Sequence, residues 1–436
     1  MREMSLGERL RERTARITVV GQGYVGLPLA VEFARAGFSV WGLDSDPDRV
    51  AALSQGQPHS PDVPEGELRE VLQNERYRPT SDGAALGLSD VVIICVPTPL
   101  RKSKDPDISY VLAAAQQAAS HFRPGQLVVL ESTTYPGTTE ELLLPMFQAQ
   151  GAVVGEDLFL AFSPERIDPG NPTFRVRDIP KVVGGVTPAC TAHAVALYRH
   201  VVSRVFEVAN PRVAEMAKLY ENTFRNVNIG LANELAVMCR QLGVNAWDVI
   251  AAAATKPFGF MPFYPGPGIG GHCIGVDPMY LSWKLRLNGY EARFIRLADE
   301  INRGMPAYVV TLVTEALNHR RLPVHGSRIL ALGVSYKRGV GDTRESPALE
   351  VIGLLKDRGA DVAYADPYVP SITVHGAMLK AVEVDEAELR AADCVVILTD
   401  HPDFDYRLVV DAAAVVVDTR RATAGVPASA DRVVLL

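Results

Sequence analysis

Short, almost continuous apolar runs punctuate this chain, and between them apolar residues fall at helical spacing. Ile17 to Val20 is such a run, followed by glycine-rich residues 21 to 26, a helix-like stretch from Leu27 to Ala36, a break at Gly37 and a second run from Phe38 to Leu43. Runs of this length bounded by turn residues predict buried strands. Asp90 to Thr98 and Gln126 to Glu131 repeat the signal. From Pro211 to about Gly243 the period changes: Val213, Met216, Leu219, Tyr220, Phe224, Val227, Leu231, Leu235 and Met238 recur at three- and four-residue steps. This predicts one long helix, able to tie two domains together or form a subunit contact, with most of its stripe in the core. Farther on, Arg328 to Gly333, Leu349 to Arg358, Val362 to Asp366 and Asp393 to Thr399 repeat the strand and helix signals of the first half.

The glycine-rich turn gives the first half a chemical meaning. Gly21-Gln-Gly23-Tyr-Val-Gly26 lies between a strand and a helix, and the next strand ends at Asp44. In that order Gly21 permits the tight turn, Gly23 admits a pyrophosphate to the backbone, Gly26 lets helix and strand pack, and the helix N-terminus favours phosphate. Asp44 would accept hydrogen bonds from ribose hydroxyls and repel a 2′-phosphate, so NAD is expected over NADP. Ligands bind beyond the carboxyl ends of parallel strands, which places Thr98 and Thr133 near a nicotinamide. The second half lacks this glycine pattern and could hold the nucleotide of a substrate instead. The expected fold is α/β: two Rossmann-like doubly wound parallel-sheet domains joined by a central helical domain with a long helix. Its boundaries are 1–205, 206–320 and 321–436.

Composition narrows the class. The chain has 436 residues, 47% hydrophobic and 22% charged, with a net charge of −7. That is an ordinary globular composition, too long for one core, and its sign argues against nucleic acid or a membrane surface as partner. The first sixteen residues are polar and basic, and no apolar run reaches bilayer length, so a cytoplasmic protein without a secretory signal is expected. The five cysteines, at 95, 190, 239, 273 and 394, form no CxxC pair. They indicate neither a disulfide framework nor a zinc knuckle.

Cys273 stands out among them. It sits in Gly-Ile-Gly-Gly-His-Cys-Ile-Gly-Val-Asp-Pro, residues 268 to 278, where the glycines suggest close approach of backbone to ligand and a nucleophile loop; a small buried cysteine before a helix is the plainer alternative. Lys218 and Asn222 are one helical turn apart and share a face. Asp277 before Pro278 also reads as an N-cap, and Ser346-Pro347 as a cap and first helical position. The segment Tyr336 to Ser346 is dense in charge and glycine, which a cap does not explain for Lys337 or Arg344.

GQGYVGLPLA, SPERIDPGN, EMAKLYENTFRN, FYPGPGIGGHCIGVDP and SYKRGVGDTRES follow in order along the chain. Together they resemble the UDP-glucose/GDP-mannose dehydrogenase family, and within it the bacterial branch acting on UDP-N-acetylhexosamines, with UDP-N-acetylglucosamine as the expected substrate. The resemblance implies an active site between two Rossmann-like domains, a UDP-sugar substrate and NAD. The sugar C6 alcohol would be oxidised to a carboxylate with two NAD+ per sugar, Cys273 attacking the C6 aldehyde and passing through a thiohemiacetal and a thioester. Lys218, Asn222 and Asp277 would surround the C6 oxygen, Glu165 would serve thioester hydrolysis, and Thr133 joins the catalytic set. Lys337 would bind substrate, with Arg166, Tyr264 and Gly270 beside it. Arg420 matches a distal substrate arginine, Arg421 being equally available. Cofactor contacts implied are Gly21, Gly23, Tyr24, Val25, Gly26, Asp44, Arg49, Thr98, Thr133 and Arg344. The thiol needs a cation or base; Lys218 is the expected helper, and His272 is disfavoured because neighbours in an extended loop point apart. An arginine that crosses from a neighbouring subunit in many members has no secure counterpart, Lys256 being nearest. A homodimer or higher homo-oligomer is expected, and surface polysaccharide synthesis is the implied role.

Other readings stay open. UDP-glucose or UDP-N-acetylmannosamine would serve as substrate through the same residues. A two-electron alcohol dehydrogenase would need no cysteine, and a nucleotide-sugar sensor would keep the fold without chemistry.

Overall fold

The structure is a computed structural model that describes residues 4–60, 62–101, 105–167, 173–427 and 432–436, apart from the His272 side chain. It packs as two compact units, residues 1–221 with 279–289 and residues 222–278 with 290–436. The second half of SPERIDPGN, residues 168–171, lies outside the described residues, as does the side chain of His272.

The first unit is built on an eight-stranded sheet. Its strands are β1 (Arg16–Val20), β2 (Ser39–Leu43), β3 (Tyr77–Thr80), β4 (Val91–Ile94), β5 (Gln126–Leu130), β6 (Leu158–Phe162), β7 (Lys181–Gly185) and β8 (Val205–Glu207), in the order β3-β2-β1-β4-β5-β6-β7-β8. β1 to β6 are parallel, and β1, β4, β5 and β6 are almost wholly buried, which is why they read as unbroken apolar runs. β7 turns antiparallel to β6 over a short pairing, a departure from the uniformly parallel sheet expected. Helix α1 (Gly26–Arg35) follows β1 and buries Leu27, Leu29, Ala30, Val31 and Phe33 against the sheet.

The second unit repeats the plan. β9 (Arg328–Leu332), β10 (Asp361–Ala365), β13 (Cys394–Ile397), β14 (Val416–Asp418) and β15 (Val433–Leu435) form a parallel sheet in the order β10-β9-β13-β14-β15. Between β10 and β13 the hairpin β11 (Ser371–Val374) and β12 (Ala377–Lys380) is inserted.

Four helices matter to the site. α2 (Pro211–Gln241) is the long helix the periodicity predicts, α3 (His272–Leu287) carries Cys273, α4 (Arg293–His319) packs Val309, Val313 and Leu317 into the second core, and α5 (Pro347–Asp357) starts at the Ser346 cap with Pro347 at its first position.

Two expectations are overturned. Most of the apolar stripe of α2 is not core: Val213, Met216, Tyr220, Phe224, Leu231 and Met238 are exposed, Tyr220 to 63% and Leu231 to 58%, whereas Leu219 is buried and Leu235 packs against the second core. Glu215, Lys218, Asn222, Asn226 and Asn233 are buried instead. Periodicity gives the width of a face, and partners of the buried polar groups decide which face turns inward. The second correction concerns residues 268 to 278. Cys273 lies in the first turn of α3, and Asp277 is inside the helix, buried, with Pro278 following it. Asp277 is therefore no N-cap, and the extended-loop argument against His272 does not apply. Pro278, inside the helix, has no N–H to give the Ile274 carbonyl oxygen, and Asn226 Nδ2 donates to that oxygen in its place, at 3.0 Å.

Candidate active site

The β1–α1 turn has the shape of a dinucleotide cradle. Gly21 adopts φ +89°, and a Cβ there would lie 2.6 Å from the Cys95 carbonyl oxygen. A Cβ on Gly26 would fall 1.8 Å from the Gly21 carbonyl oxygen, so turn and helix close only with glycine at both positions. Gly23 is the opposite case, since a Cβ there meets nothing within 4 Å. α1 has no side-chain cap at Val25, leaving first-turn N–H groups for an anion. Buried Asp44 takes the Gln22 N–H at 2.7 Å and Arg49 Nη1 at 3.0 Å on one oxygen and the Asp46 N–H at 3.0 Å on the other. Of the roughly four lone-pair sites of a carboxylate, that leaves one for a ribose hydroxyl. Tyr24 is exposed with its ring edge toward His59. Thr98 is buried and Thr133 half-buried, each shortly after the carboxyl end of a strand. The residues present fit NAD, whose phosphates would be held by Gly23 and the α1 N-terminus and whose adenosine ribose would be held by Asp44.

Glu165 and Lys218 meet in the same unit. Lys218 Nζ stands 4.0 Å from Glu165 Oε2, both side chains nearly inaccessible to water. Burial pushes the Glu165 carboxyl up, while Lys218, Lys181 and the Ile167 N–H bonded to its other oxygen pull it back part-way. Arg166 turns elsewhere, forking onto Glu221 at 2.7 and 3.2 Å and reaching the Pro180 carbonyl oxygen at 2.6 Å. Glu215, one turn before Lys218, accepts from the N–H groups of Gly137 and Thr139 and from the Thr139 hydroxyl, at 2.6 to 2.9 Å. It thus ties the segment after β5, which carries Thr133, to α2.

In the second unit α2 is stitched to the start of α3. Asn222 Nδ2 donates to Asp277 Oδ2 at 2.5 Å, its Oδ1 accepts from Arg225, and Asn226 donates to the Ile274 carbonyl oxygen at 3.0 Å. Of the five free cysteines four are buried and Cys273 is half-buried. At the start of a sixteen-residue helix, backbone N–H groups and the helix dipole favour negative charge. Gly270 packs so closely that a Cβ would lie 2.6 Å from Tyr336, and the Gly271 N–H reaches the Arg344 carbonyl oxygen at 3.1 Å. The segment with Lys337 therefore lies against the segment leading to Cys273. Arg344 closes its fork on Asp342, at 2.6 to 3.0 Å. Arg420 is half-buried, its Nε on the Leu398 carbonyl oxygen at 3.0 Å and its Nη1 against Gly266, whereas Arg421 pairs with Asp248 at 2.9 Å. Tyr264 stacks on Trp247 and Lys256 covers the Phe258 ring, all but Trp247 exposed.

Three sequence-family profiles match consecutive parts of the chain. They describe the NAD binding domain, central domain and UDP binding domain of UDP-glucose/GDP-mannose dehydrogenases, over residues 15–202, 212–304 and 330–425. The chain belongs to the UDP-glucose/GDP-mannose dehydrogenase family. It is an NAD-dependent nucleotide-sugar dehydrogenase of the UDP-sugar 6-dehydrogenase type. It is 39% identical over 356 residues to a UDP-N-acetyl-D-glucosamine 6-dehydrogenase of Pseudomonas aeruginosa, covering 81% of this chain and 83% of the relative. An NDP-N-acetyl-D-galactosaminuronic acid dehydrogenase of Ralstonia nicotianae is 38% identical over 420 residues, covering 93% and 95%. The solved UDP-D-ManNAc dehydrogenase of Pyrococcus horikoshii superposes with a TM-score of 0.88 at 35% identity, covering 96% and 98%.

For this dehydrogenase, sequence reasoning missed Glu215 and Asn226. Their signal was present: Glu215, Lys218, Asn222 and Asn226 fall at steps of three and four, a polar stripe with the helical period. No helix among the described residues is long and apolar enough to cross a membrane.

Proposed function

We propose that the chain oxidises the C6 alcohol of a UDP-N-acetylhexosamine, UDP-N-acetylglucosamine before its epimers, to the uronate by a four-electron route through Cys273. The observation that carries this is the half-buried thiol at the start of α3, four residues before Asp277, which is held by Asn222. NAD+ supplies the hydride acceptor for each of the two oxidations. In the first, the C6 hydroxyl gives up a proton as the hydride leaves; the Lys218 ammonium and the second amide hydrogen of Asn222 stabilise the oxygen while it carries charge, and Asp277 takes up the proton. The Cys273 thiolate then adds to the aldehyde carbon, and the oxygen takes back the proton held by Asp277 to give a thiohemiacetal. Loss of a second hydride to NAD+ and of the hydroxyl proton to Asp277 leaves a thioester. Glu165 draws a proton from water as it attacks the thioester carbon, the C–S bond breaks to restore the thiolate, and the acid so formed gives its remaining proton to solvent and leaves as the carboxylate.

Lys337 and Arg420 bind the UDP-sugar, and the exposed apolar face of α2 forms a homodimer contact. A cytoplasmic supply of uronate for surface polysaccharide completes the proposal. The Pseudomonas relative favours UDP-N-acetylglucosamine, and the two others define the competing sugars.

The test is the yield of NADH per UDP-N-acetylglucosamine consumed, for the wild-type chain and for Cys273→Ser. Two NADH per sugar with turnover lost in the variant is expected. One NADH and an active variant would overturn the thioester route. NADH from another UDP-hexosamine in place of this one would move the sugar and keep the chemistry.

A further inference from the structure

A second buried ion pair lies beside Glu165, and nothing in the reaction so far uses it. Lys181 opens β7 and is 9% exposed; its Nζ donates to Glu131 Oε2 at 2.5 Å and to the Pro164 carbonyl oxygen at 3.4 Å. Glu131, just past β5, accepts on its other oxygen from the hydroxyl of Tyr198, a fully buried residue whose ring also faces the ammonium at 5.2 Å. Burial and Glu131 push the Tyr198 phenol far up, so it stays a donor.

Such a pair is costly to bury. Desolvating two ions offsets most of their attraction, and apolar residues of similar volume commonly pack as well or better. Stability alone therefore gives weak reason for Lys181 and Glu131 at these positions. Their location gives a stronger one. Lys181, Glu131, Glu165 and Arg166, with Val25 and Leu29 of the β1–α1 region, line a cavity of about 20 Å³. That is room for one water, which needs roughly 10–15 Å³. Of the three donors of the ammonium, one goes to Glu131 and one to the carbonyl of Pro164, the residue that precedes Glu165.

We propose that Lys181, locked in place by Glu131 and Tyr198, is a positioning residue for Glu165 that keeps its carboxylate charged and oriented for thioester hydrolysis. The inference rests on the hydrolytic role proposed for Glu165. The groups facing Glu165 are Lys218 from α2, Lys181 from β7, Glu131 from the end of β5 and the Cys95 thiol after β4; neighbouring Arg166 is engaged by Glu221. Burial raises the Glu165 carboxyl, and the two lysines oppose it. Removing Lys181 takes away one opposing cation, so Glu165 holds its proton to higher pH. A protonated Glu165 cannot accept the proton of the attacking water, and the Cys273 thioester waits.

The experiment uses the full chain with NAD+ and its turned-over UDP-sugar, acid-quenched in the steady state and weighed by intact mass spectrometry, alongside a pH profile of kcat. Lys181→Met is expected to lower kcat about tenfold, less than the 10²–10⁴ of deleting a general base. Sugar should accumulate on Cys273, and the acid limb of the profile should move to higher pH. Tyr198→Phe, which removes one hydroxyl from Glu131, should do the same more weakly, and it decides the matter if Lys181→Met does not fold. Glu165→Gln is the reference. If Glu165→Gln accumulates the adduct while the Lys181 and Tyr198 variants show neither adduct nor a moved acid limb, the proposal is overturned and the function stands. If Glu165→Gln accumulates none, the hydrolytic role of Glu165 fails and the proposal fails with it.

Discussion

The two mostly parallel sheets of this dehydrogenase are built to one plan and spend the same carboxylate differently. After β1 the Gly21 N–H bonds the Leu43 carbonyl oxygen at 2.8 Å; after β9 the Gly333 N–H bonds the Ala365 carbonyl oxygen at 2.9 Å. The Arg16 N–H donates to Asp90 before β4, and the Arg328 N–H to Asp393 before β13, both at 2.8 Å. Asp44 and Asp366 close the second strand of each half. Asp44 accepts from one backbone N–H of the turn, that of Gln22, from the Asp46 N–H and from the half-buried Arg49. Asp366 accepts from the N–H groups of Val334, Ser335 and Tyr368 and from fully buried His401, whose Nδ1 in turn takes the Gly339 N–H at 3.1 Å and so leaves the proton on Nε2. The first carboxylate keeps a site for a ligand, and the second is filled by its own chain. Fold position alone therefore does not make a ribose acceptor; the partner count does.

The sharpest way to break the comparison is at the glycines. Gly26→Ala puts a Cβ 1.8 Å from the Gly21 carbonyl oxygen and should cost about 100-fold or more in NAD affinity, measured by calorimetry. Gly333→Ala crowds Thr399 at 2.5 Å and strains φ +81°, so it should lower stability and leave NAD affinity within about twofold. Equal NAD losses in both would mean the halves share one nucleotide role. Next is Asp366→Ala, which strands three N–H donors and a buried imidazole. It should destabilise the chain by about 3–5 kcal/mol in chemical denaturation, with NAD affinity again retained.

How much of this was readable beforehand differs by element. Strands β1, β2, β4, β5, β9, β10 and β13, the turn at Gly21 to Gly26 and the length of α2 follow from periods and punctuation, and each falls within a few residues of its expected place. The direction α2 faces does not follow, because its apolar stripe and its polar stripe have the same period and only Glu215, Asn222 and Asn226, by finding partners, show which is inside. Gly275 and Pro278 argue against a helix locally, and α3 forms around Cys273 nonetheless, its start held by Asn226 on the Ile274 carbonyl oxygen. α4, the β11–β12 hairpin and strands β3, β6, β7, β8, β14 and β15 went unread inside longer segments. The His401–Asp366 pair links residues far apart in sequence, for which no periodic signal exists.

Asp44→Asn sharpens the same comparison with a smaller effect. It keeps the shape of the side chain and removes the charge, so the KM for NAD should rise about tenfold, discrimination against NADP should fall, and the melting temperature should hardly move. A fall in stability as large as that of Asp366→Ala would show Asp44 to be structural too.

The smallest difference lies in acid. Burial raises the Asp366 carboxyl, but its bonds from His401, Val334 and Tyr368 outweigh that and hold it below the usual carboxylate range. A carboxyl depressed in the fold stabilises fully above its unfolded value, about 3.9, and loses that contribution as pH falls through the folded value. In the first unit burial lowers His59, His193 and His200, whose stabilising contribution is present above about 6.5 and fades as pH falls through their folded values. Glu165 and Glu215, raised by burial, act oppositely there, gaining on acidification. Amide exchange followed from pH 7 downward should therefore change in β1 and β4 well above pH 4, with protection of β9 and β10 constant until about pH 4 and then falling. In Asp366→Asn the low-pH fall in β9 and β10 should flatten, because the group that titrates there is gone. Loss of β9 and β10 protection between pH 7 and 5 would mean that another group controls this sheet, and that filling Asp366 from within is not what holds it.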